Sequence, residues 1–453
     1  MVIAQGYGSC SYRPWRRQQA NPDTACQQRR NGRRHMHVVV VGAGVIGLSS
    51  AWYLAREGLQ VTVVERNQDV ALETSFANGG QLSYDYVAPL ADPSVLANLP
   101  RWLLARNAPL SLQPRLDLRQ WRWCLAFLRA CRASRVERTV VEMLRLSHRS
   151  QALMKQLLQE APIDFNLRQT GKLVIHRSPE SLKAATRLVE LQQRAGSQQH
   201  ILSSMECSDL EPTLAGVTGR LAGGVYTPGE ATGDCRLFCE GLKRHLDGMT
   251  NVRFELGQVV SGFDKVGKRL VAVRLGHERL EADAFVIASG IASVGLVKPL
   301  GIDLPLYPLR GYSLSVQPSS DTLVPRLSIT DASRKILYAP LGNTLRIAAM
   351  VDMGVCSPEA PKRRIDLLKA QAAEVFPMLS LHQAQPWAGL RPATALGKPI
   401  IDKAPGQENL WLNVGHGALG FTLACASGEM IAQRITRPTA DDSTTAFTLA
   451  AHR

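Results

Sequence analysis

Gly42, Gly44 and Gly47 stand in the spacing G-x-G-x-x-G within "VVVVGAGVIGLSSAWYLAREGLQVTVVER", residues 38–66. A turn of that kind binds the pyrophosphate of a dinucleotide. One glycine permits the tight turn, one lets backbone amides approach the phosphates, and one lets the next helix pack closely on the strand. Glu65 follows 18 residues after Gly47, where a carboxylate accepts hydrogen bonds from the adenosine ribose hydroxyls and opposes a 2′-phosphate. NADP is therefore not expected.

These residues need a strand, a helix and a parallel strand to hold them. The β-branched run 38–41 supplies the first strand, 45–57 reads as a helix closing near Gly58, and "VTVVE" at 61–65 supplies the second strand. The spacing further predicts helices over 180–195, 363–376 and 422–435. Residues 252–290 alternate apolar and polar positions, predicting a small antiparallel meander that feeds one buried strand, 284–288. A second alternating region runs from about 307 to 351.

The turn alone does not separate NAD from FAD, but the rest of the chain does. After Glu65 comes "RNQDVALETSFANGGQLS", residues 66–83, a polar loop with paired glycines suited to wrapping a cofactor. "ASG" at 288–290 offers another close backbone approach. "GHGALGFT" at 415–422 is a third glycine-rich turn before a helix, whose amides and dipole would stabilise negative charge on a reduced ring. A cofactor surrounded by such distant segments is long and buried, which points to FAD. The expected cofactor contacts are Val38, Val41, Gly42, Ala43, Gly44, Val45, Ile46, Gly47, Glu65, Arg66, Thr74, Ser75, Asn78, Gly79, Val259, Ala288, Gly290, Gly415, Gly417 and Gly420.

At 453 residues the chain exceeds what one hydrophobic core usually serves. Its net charge of +15 is concentrated. Residues 1–35 hold seven Arg against Asp23, and residues 101–150 hold eleven Arg against Asp117, Glu137 and Glu142, so the remainder is nearly neutral. The second segment also carries Trp102, Trp121 and Trp123. Arginine heads on Trp and Leu bodies suit either a helix lying on an anionic membrane surface or a helical insert with its charged side in water. No stacking platform or groove motif accompanies them, so nucleic acid is not expected. The nine cysteines are odd in number and irregularly spaced, which excludes a disulfide framework and a zinc site and favours a reducing, cytoplasmic compartment. No metal is expected. Residues 1–35 read as a disordered leader or a misassigned start, with an Arg-rich targeting peptide as the rival reading. Residues 410–428 are uncharged, but Asn413, His416 and the glycines argue against a membrane span.

From about residue 37 to 437 the chain resembles the FAD-dependent D-amino acid dehydrogenase small subunit, within the D-amino acid oxidase and glycine oxidase superfamily. The likeness rests on "VVVVGAGVIGLSSAWYL", "ALETSFANGGQLS", "APL" at 88–90, "GGVYTPGEATGDC" at 223–235, "YPLRGYSLSV" at 307–316, "GLRP" at 389–392 and "LWLNVGHGALGFT" at 410–422. The fold it implies is α/β: an FAD-binding Rossmann-like domain of the glutathione-reductase type with a discontinuous α+β substrate domain. The cofactor domain would comprise 36–90, 140–165, 225–300 and 385–437, the substrate domain 91–139, 166–224 and 301–384, and the tail 438–453. Leu396, Asp402 and Gly79 depart from the family pattern, and the first two border the expected approach to the flavin.

The activity this resemblance implies is oxidation of D-amino acids to 2-oxo acids and ammonia, with FAD as cofactor. Electrons would pass to a quinone or another respiratory acceptor at the cytoplasmic face of the inner membrane. That chemistry requires the Cα–H bond to lie against the flavin, a neutral amine and a fixed carboxylate. A guanidinium fork holds a carboxylate best. Arg391 and Arg310 are the candidates, with Tyr307, Tyr312 and Tyr338 as phenols and His416 as a contact to the flavin. An oxygen-using amine oxidase of the glycine or sarcosine type and a catalytically decayed flavoprotein are the alternatives.

Overall fold

The computed structural model describes residues 36–87, 90–93, 108–319, 322–437 and 442–452. The expectations for the leader, for "AP" at 88–89, for Trp102 and for the start of the tail fall outside these residues.

A six-stranded sheet forms the first layer, in the order Ile400–Lys403, Leu410–Val414, Ala284–Ile287, His37–Val41, Gln60–Glu65, Val252–Leu256. Its neighbours pair in parallel except for Ile400–Lys403 against Leu410–Val414. Parallel sheets need cover on both faces, and the valines of His37–Val41 are accordingly buried. The helices Val45–Arg56, Cys235–Asp247, Ala133–Glu160 and Gly420–Thr436 supply the core on one side. The antiparallel meander Val260–Val266, Arg269–Leu275, Glu278–Glu281 supplies it on the other.

The second layer is a nine-stranded sheet. Its path runs Gln385–Thr394, Leu306–Val316, Thr344–Met353, Ile336–Leu341, Ser328–Asp331, Lys172–His176, Gly223–Thr227, His200–Leu202, and Leu110–Leu112 pairs with Thr344–Met353 off this path. One face packs on helix Lys362–Ala373 through Leu314, Ile347, Ile365 and Leu368. Part of the other face is covered by helix Leu118–Ala130 through Trp123 and Phe127, whose rings stack at 5.2 Å. The remainder of that face is open toward the first layer.

Three expectations are corrected here. Val252–Leu256 is not part of the meander; it pairs in parallel with Gln60–Glu65. Gln385–Thr394 and Gly223–Thr227 belong to the nine-stranded sheet, so the boundaries placed at 225 and 385 shift to the ends of those strands. Alternation of apolar residues identifies a strand but does not say which sheet pairs with it.

Candidate functional site

A cavity of about 670 Å³ lies between the two layers. Its first end is the glycine turn. Gly42 has φ +107°, and a methyl there would stand 2.8 Å from the Ala288 carbonyl oxygen; at Gly47 it would stand 1.8 Å from the Gly42 carbonyl oxygen. Both positions exclude a side chain for reasons of contact. The turn leaves the N-terminus of helix Val45–Arg56 facing the cavity, with Gly44, Val45 and Ile46 in the wall. The Val45 amide donates to Ser75 Oγ at 3.1 Å. Glu65 also lines the cavity; its carboxylate accepts from the Ala43 amide at 2.8 Å and the Asn67 amide at 2.9 Å, which fixes its orientation.

The loop 74–80 crosses from this end to the other sheet and is fastened there at three points. Thr74 donates to the Leu390 carbonyl at 2.8 Å, Ser313 to the Ala77 carbonyl at 2.6 Å, and Arg346 to the Asn78 carbonyl at 2.7 Å. Gly79, a departure from the family pattern, has a local reason: a methyl there would lie 2.7 Å from Leu337 Cδ2. The third turn is tied to the same sheet, with Gly417 donating to the Pro392 carbonyl at 3.0 Å. Gly420 and Phe421 put a second helix N-terminus in the wall. Two aligned dipoles thus converge on one cavity.

The far end is lined by the nine-stranded sheet. Trp387, Gly389 and Arg391 alternate on one strand, and all three reach the cavity. Arg391 extends over Gly311 of the next strand, where no side chain obstructs it: a methyl on Gly311 would meet Nη2 at 2.3 Å. Its Nη1 donates to the Met350 carbonyl at 3.2 Å. Desolvation by the surrounding protein lowers its pKa from the ordinary value, and a half-buried guanidinium whose hydrogen bond goes to a carbonyl favours an incoming anion. His416 is buried in the same wall, its Nε2 has no hydrogen-bond partner, and burial lowers its pKa to about 3, so the ring is neutral near pH 7.

Of the expected cofactor contacts, Val41, Gly42, Gly44, Val45, Ile46, Glu65, Arg66, Thr74, Ser75, Asn78, Gly79, Val259, Ala288, Gly290, Gly415, Gly417 and Gly420 line the cavity. Val38, Ala43 and Gly47 do not. Val38 is buried at the start of its strand, Ala43 acts through its amide on Glu65, and Gly47 packs on the turn.

The catalytic candidates divide. Arg391 and His416 face the cavity. Arg310 is displaced from it because strand alternation turns it to the other side of the sheet, where it pairs with Asp352 at 3.5 Å and donates to the Glu359 carbonyl at 3.1 Å. Tyr312 is in the wall, but its hydroxyl donates to Asp352, which Arg364 also holds. Its pKa is raised by burial and by that carboxylate. Tyr307 packs beneath Trp123 and Tyr338 against Phe376, so neither reaches the cavity. Leu396 packs with the Trp123 cluster, and Asp402 binds Arg434 at 3.4 Å and the Leu449 amide at 2.9 Å. Neither lines the cavity, so the departures at these two positions do not alter its described wall. Met350, Trp387, Ser313 and Lys335 were missed. The alternation W-x-G-x-R at 387–391 was the available signal for Trp387.

Among the described residues no cluster suited to a metal ion occurs. The described cysteines are unpaired.

A family model described as "FAD dependent oxidoreductase" matches residues 37–434. The chain belongs to that family. It is 45% identical over 413 residues to D-amino acid dehydrogenase 2 of Ralstonia nicotianae, covering 89% of this chain and 97% of the relative. Its identity to D-amino acid dehydrogenase 2 of Pseudomonas aeruginosa is also 45%, over 414 residues, covering 90% and 97%. Among solved structures, glycine oxidase from Geobacillus kaustophilus superimposes with a TM-score of 0.72 at 21% identity, covering 91% of this chain and 98% of the other. The fold is thus that of the FAD-dependent oxidoreductases, and the cavity fits its cofactor. Glycine positions that a Cβ would fill, an oriented Glu65 and the orphaned His416 nitrogen are the features such a group requires.

Proposed function

We propose that this protein oxidises D-amino acids to 2-oxo acids and ammonia. The observation that carries this reading is Arg391, a half-buried guanidinium in the cavity wall whose hydrogen bond goes to a carbonyl. The names of the relatives at 45% identity supply the substrate class.

The FAD that these residues would hold would supply a two-electron acceptor for the hydride from the substrate's Cα, and water would convert the resulting imine to the 2-oxo acid and ammonia. Gly42, Gly44, Val45 and Ser75 would hold its pyrophosphate and Glu65 its ribose. Arg391 binds the substrate carboxylate through its free N–H groups and sets the position of Cα. His416 is neutral and offers Nε2 without adding charge. The carboxylates in the described wall, Glu65 and Glu73, lie in the segment that follows the glycine turn. With no acid beside Arg391 in that wall, the sheet end holds an anionic substrate without repulsion.

The electrons pass to quinone or another respiratory carrier at the cytoplasmic face of an anionic membrane. Helix Leu118–Ala130 supports this part: Leu118, Trp121, Leu125 and Leu128 are exposed on one stripe beside Arg122 and Arg129. No helix among the described residues is long and apolar enough to cross a membrane. The test of the acceptor compares turnover of D-alanine with a dye under nitrogen against peroxide yield in air. Dye reduction without stoichiometric peroxide supports the reading, and stoichiometric peroxide at equal rates overturns it in favour of an oxidase.

A further inference from the structure

We propose that Lys335 reads a second negative charge on the substrate, so that acidic D-amino acids, D-glutamate and D-aspartate, are favoured over neutral ones of the same shape. This rests on the reading of Arg391 as the anchor for the substrate's α-carboxylate.

Lys335 ends the turn between strands Ser328–Asp331 and Ile336–Leu341. Asp331 makes that turn rigid: its Oδ1 accepts from the Ser333 amide at 3.1 Å and the Arg334 amide at 3.2 Å, and its Oδ2 from Arg177 Nε at 2.8 Å. Lys335 itself is left-handed, φ +55°, and lines the cavity together with Leu337 two residues on.

The register brings it toward the Arg391 guanidinium. Ile336 pairs with Ala349 at the end of the antiparallel ladder, and Lys335 and Met350 are the chain neighbours of that last pair. Met350 is the residue whose carbonyl receives Arg391. The strands of Arg391 and Lys335 are three spacings of about 4.8 Å apart, but the Arg391 guanidinium reaches across Leu306–Val316 to Met350, on the strand next to that of Lys335. Trp387, Leu337 and Ala348 wall the same cavity and supply apolar surface for the carbons between two acid groups.

Two other cations in this part of the molecule are already committed. Arg346 binds Asp234 at 3.4 Å and the Asn78 carbonyl, and Lys172 donates to Ser83 Oγ at 3.2 Å with Glu230 nearby. Lys335 differs: its side chain is exposed at the cavity, and the Asp92 carboxylate acts on it only as a smaller opposing charge. An anion delivered by the ligand would take a charge-assisted hydrogen bond from its ammonium.

The experiment measures kcat/KM of the full-chain holoenzyme with D-glutamate and with D-glutamine, which has the same shape without the charge. The wild type is expected to favour D-glutamate by about tenfold or more, the scale of one charged hydrogen bond. Lys335→Gln should bring the ratio near one, and Lys335→Arg should keep most of the preference. A readout free of turnover is the binding of glutarate against its monoamide, followed by the flavin's visible absorbance; Lys335→Gln should weaken glutarate alone by a similar factor. Flavin content and melting temperature show whether each variant is folded, and Lys335→Met replaces Lys335→Gln if the latter is not. A wild type without the preference, or a ratio unmoved by the substitution, overturns the proposal. If D-alanine reduces the flavin and the ratio does not respond, this inference alone fails; if no D-amino acid reduces it, the reading beneath it fails.

Discussion

Arg391 Nη1 donates to the carbonyl of Met350 at 3.2 Å, and Met350 holds a left-handed backbone, φ +62°. A non-glycine residue in that conformation costs about 1–3 kcal/mol. The pairing shift between Arg310 and Tyr312 against Thr344–Met353 falls at this point. The bulge turns the Met350 carbonyl onto the guanidinium, and bulges re-aim side chains beside active sites. Arg391→Lys removes the planar fork and should lower kcat/KM for D-alanine by about 100-fold, with flavin retained. Steady-state kinetics with a dye acceptor, alongside the flavin-to-protein ratio, check this.

Gly42→Ala tests the cofactor turn. The added methyl meets the Ala288 carbonyl oxygen at 2.8 Å on a backbone at φ +107°. The turn must open to admit it, so the variant is expected to purify with less than about a tenth of the flavin of the parent protein, given the close approach the pyrophosphate demands. A fully yellow Gly42→Ala protein would contradict the assignment.

Asp352 holds Tyr312, Arg310 and Arg364 together under the sheet. Asp352→Ala leaves two buried cations without their carboxylate and should cost about 3–5 kcal/mol in denaturant unfolding. Tyr312→Phe loses one hydrogen bond, about 1 kcal/mol, and should leave KM within about twofold of the parent value, because its hydroxyl serves Asp352 and not the substrate.

His416 sets a pH dependence. Its folded pKa of about 3 lies below the ordinary histidine value of 6.5, so between those limits the unfolded chain binds the extra proton. The stability from a neutral His416 is full above pH 6.5 and declines as the pH falls toward 3, with a slope approaching about 1.4 kcal/mol per pH unit. His176 and His452, lowered to about 4, act in the same direction. Denaturant unfolding from pH 7 to 4 should show a shallower loss for His416→Gln than for the parent protein.

Vesicles test the helix Leu118–Ala130. Co-sedimentation with phosphatidylglycerol vesicles is expected at low salt, weakened at high salt by screening and lost in Leu125→Glu. Binding that ignores both salt and the substitution would place the membrane contact elsewhere.

The cofactor end was readable because its determinants are local. A glycine spacing, a following helix and Glu65 lie within one βαβ unit, and each acts through backbone geometry that residue type controls. The substrate end was not readable in the same way. Arg310 and Arg391 are equal in a list of residue types, but alternation on their strands sends one into the cavity and the other to Asp352. Lys335 and Met350 became visible only through a register between strands and a bulge, which nothing in either strand alone dictates. The same is true of Val252–Leu256, whose apolar pattern fits a meander and a parallel sheet equally well.

Anaerobic mixing of the purified holoprotein with D-alanine and, separately, with L-alanine, followed through the flavin's visible absorbance, decides whether the protein takes electrons from D-amino acids. Rapid bleaching is expected with the D enantiomer, none with the L enantiomer, and release of a 2-oxo acid and ammonia in equal amounts. A flavin that stays oxidised with every D-amino acid tried would contradict this activity.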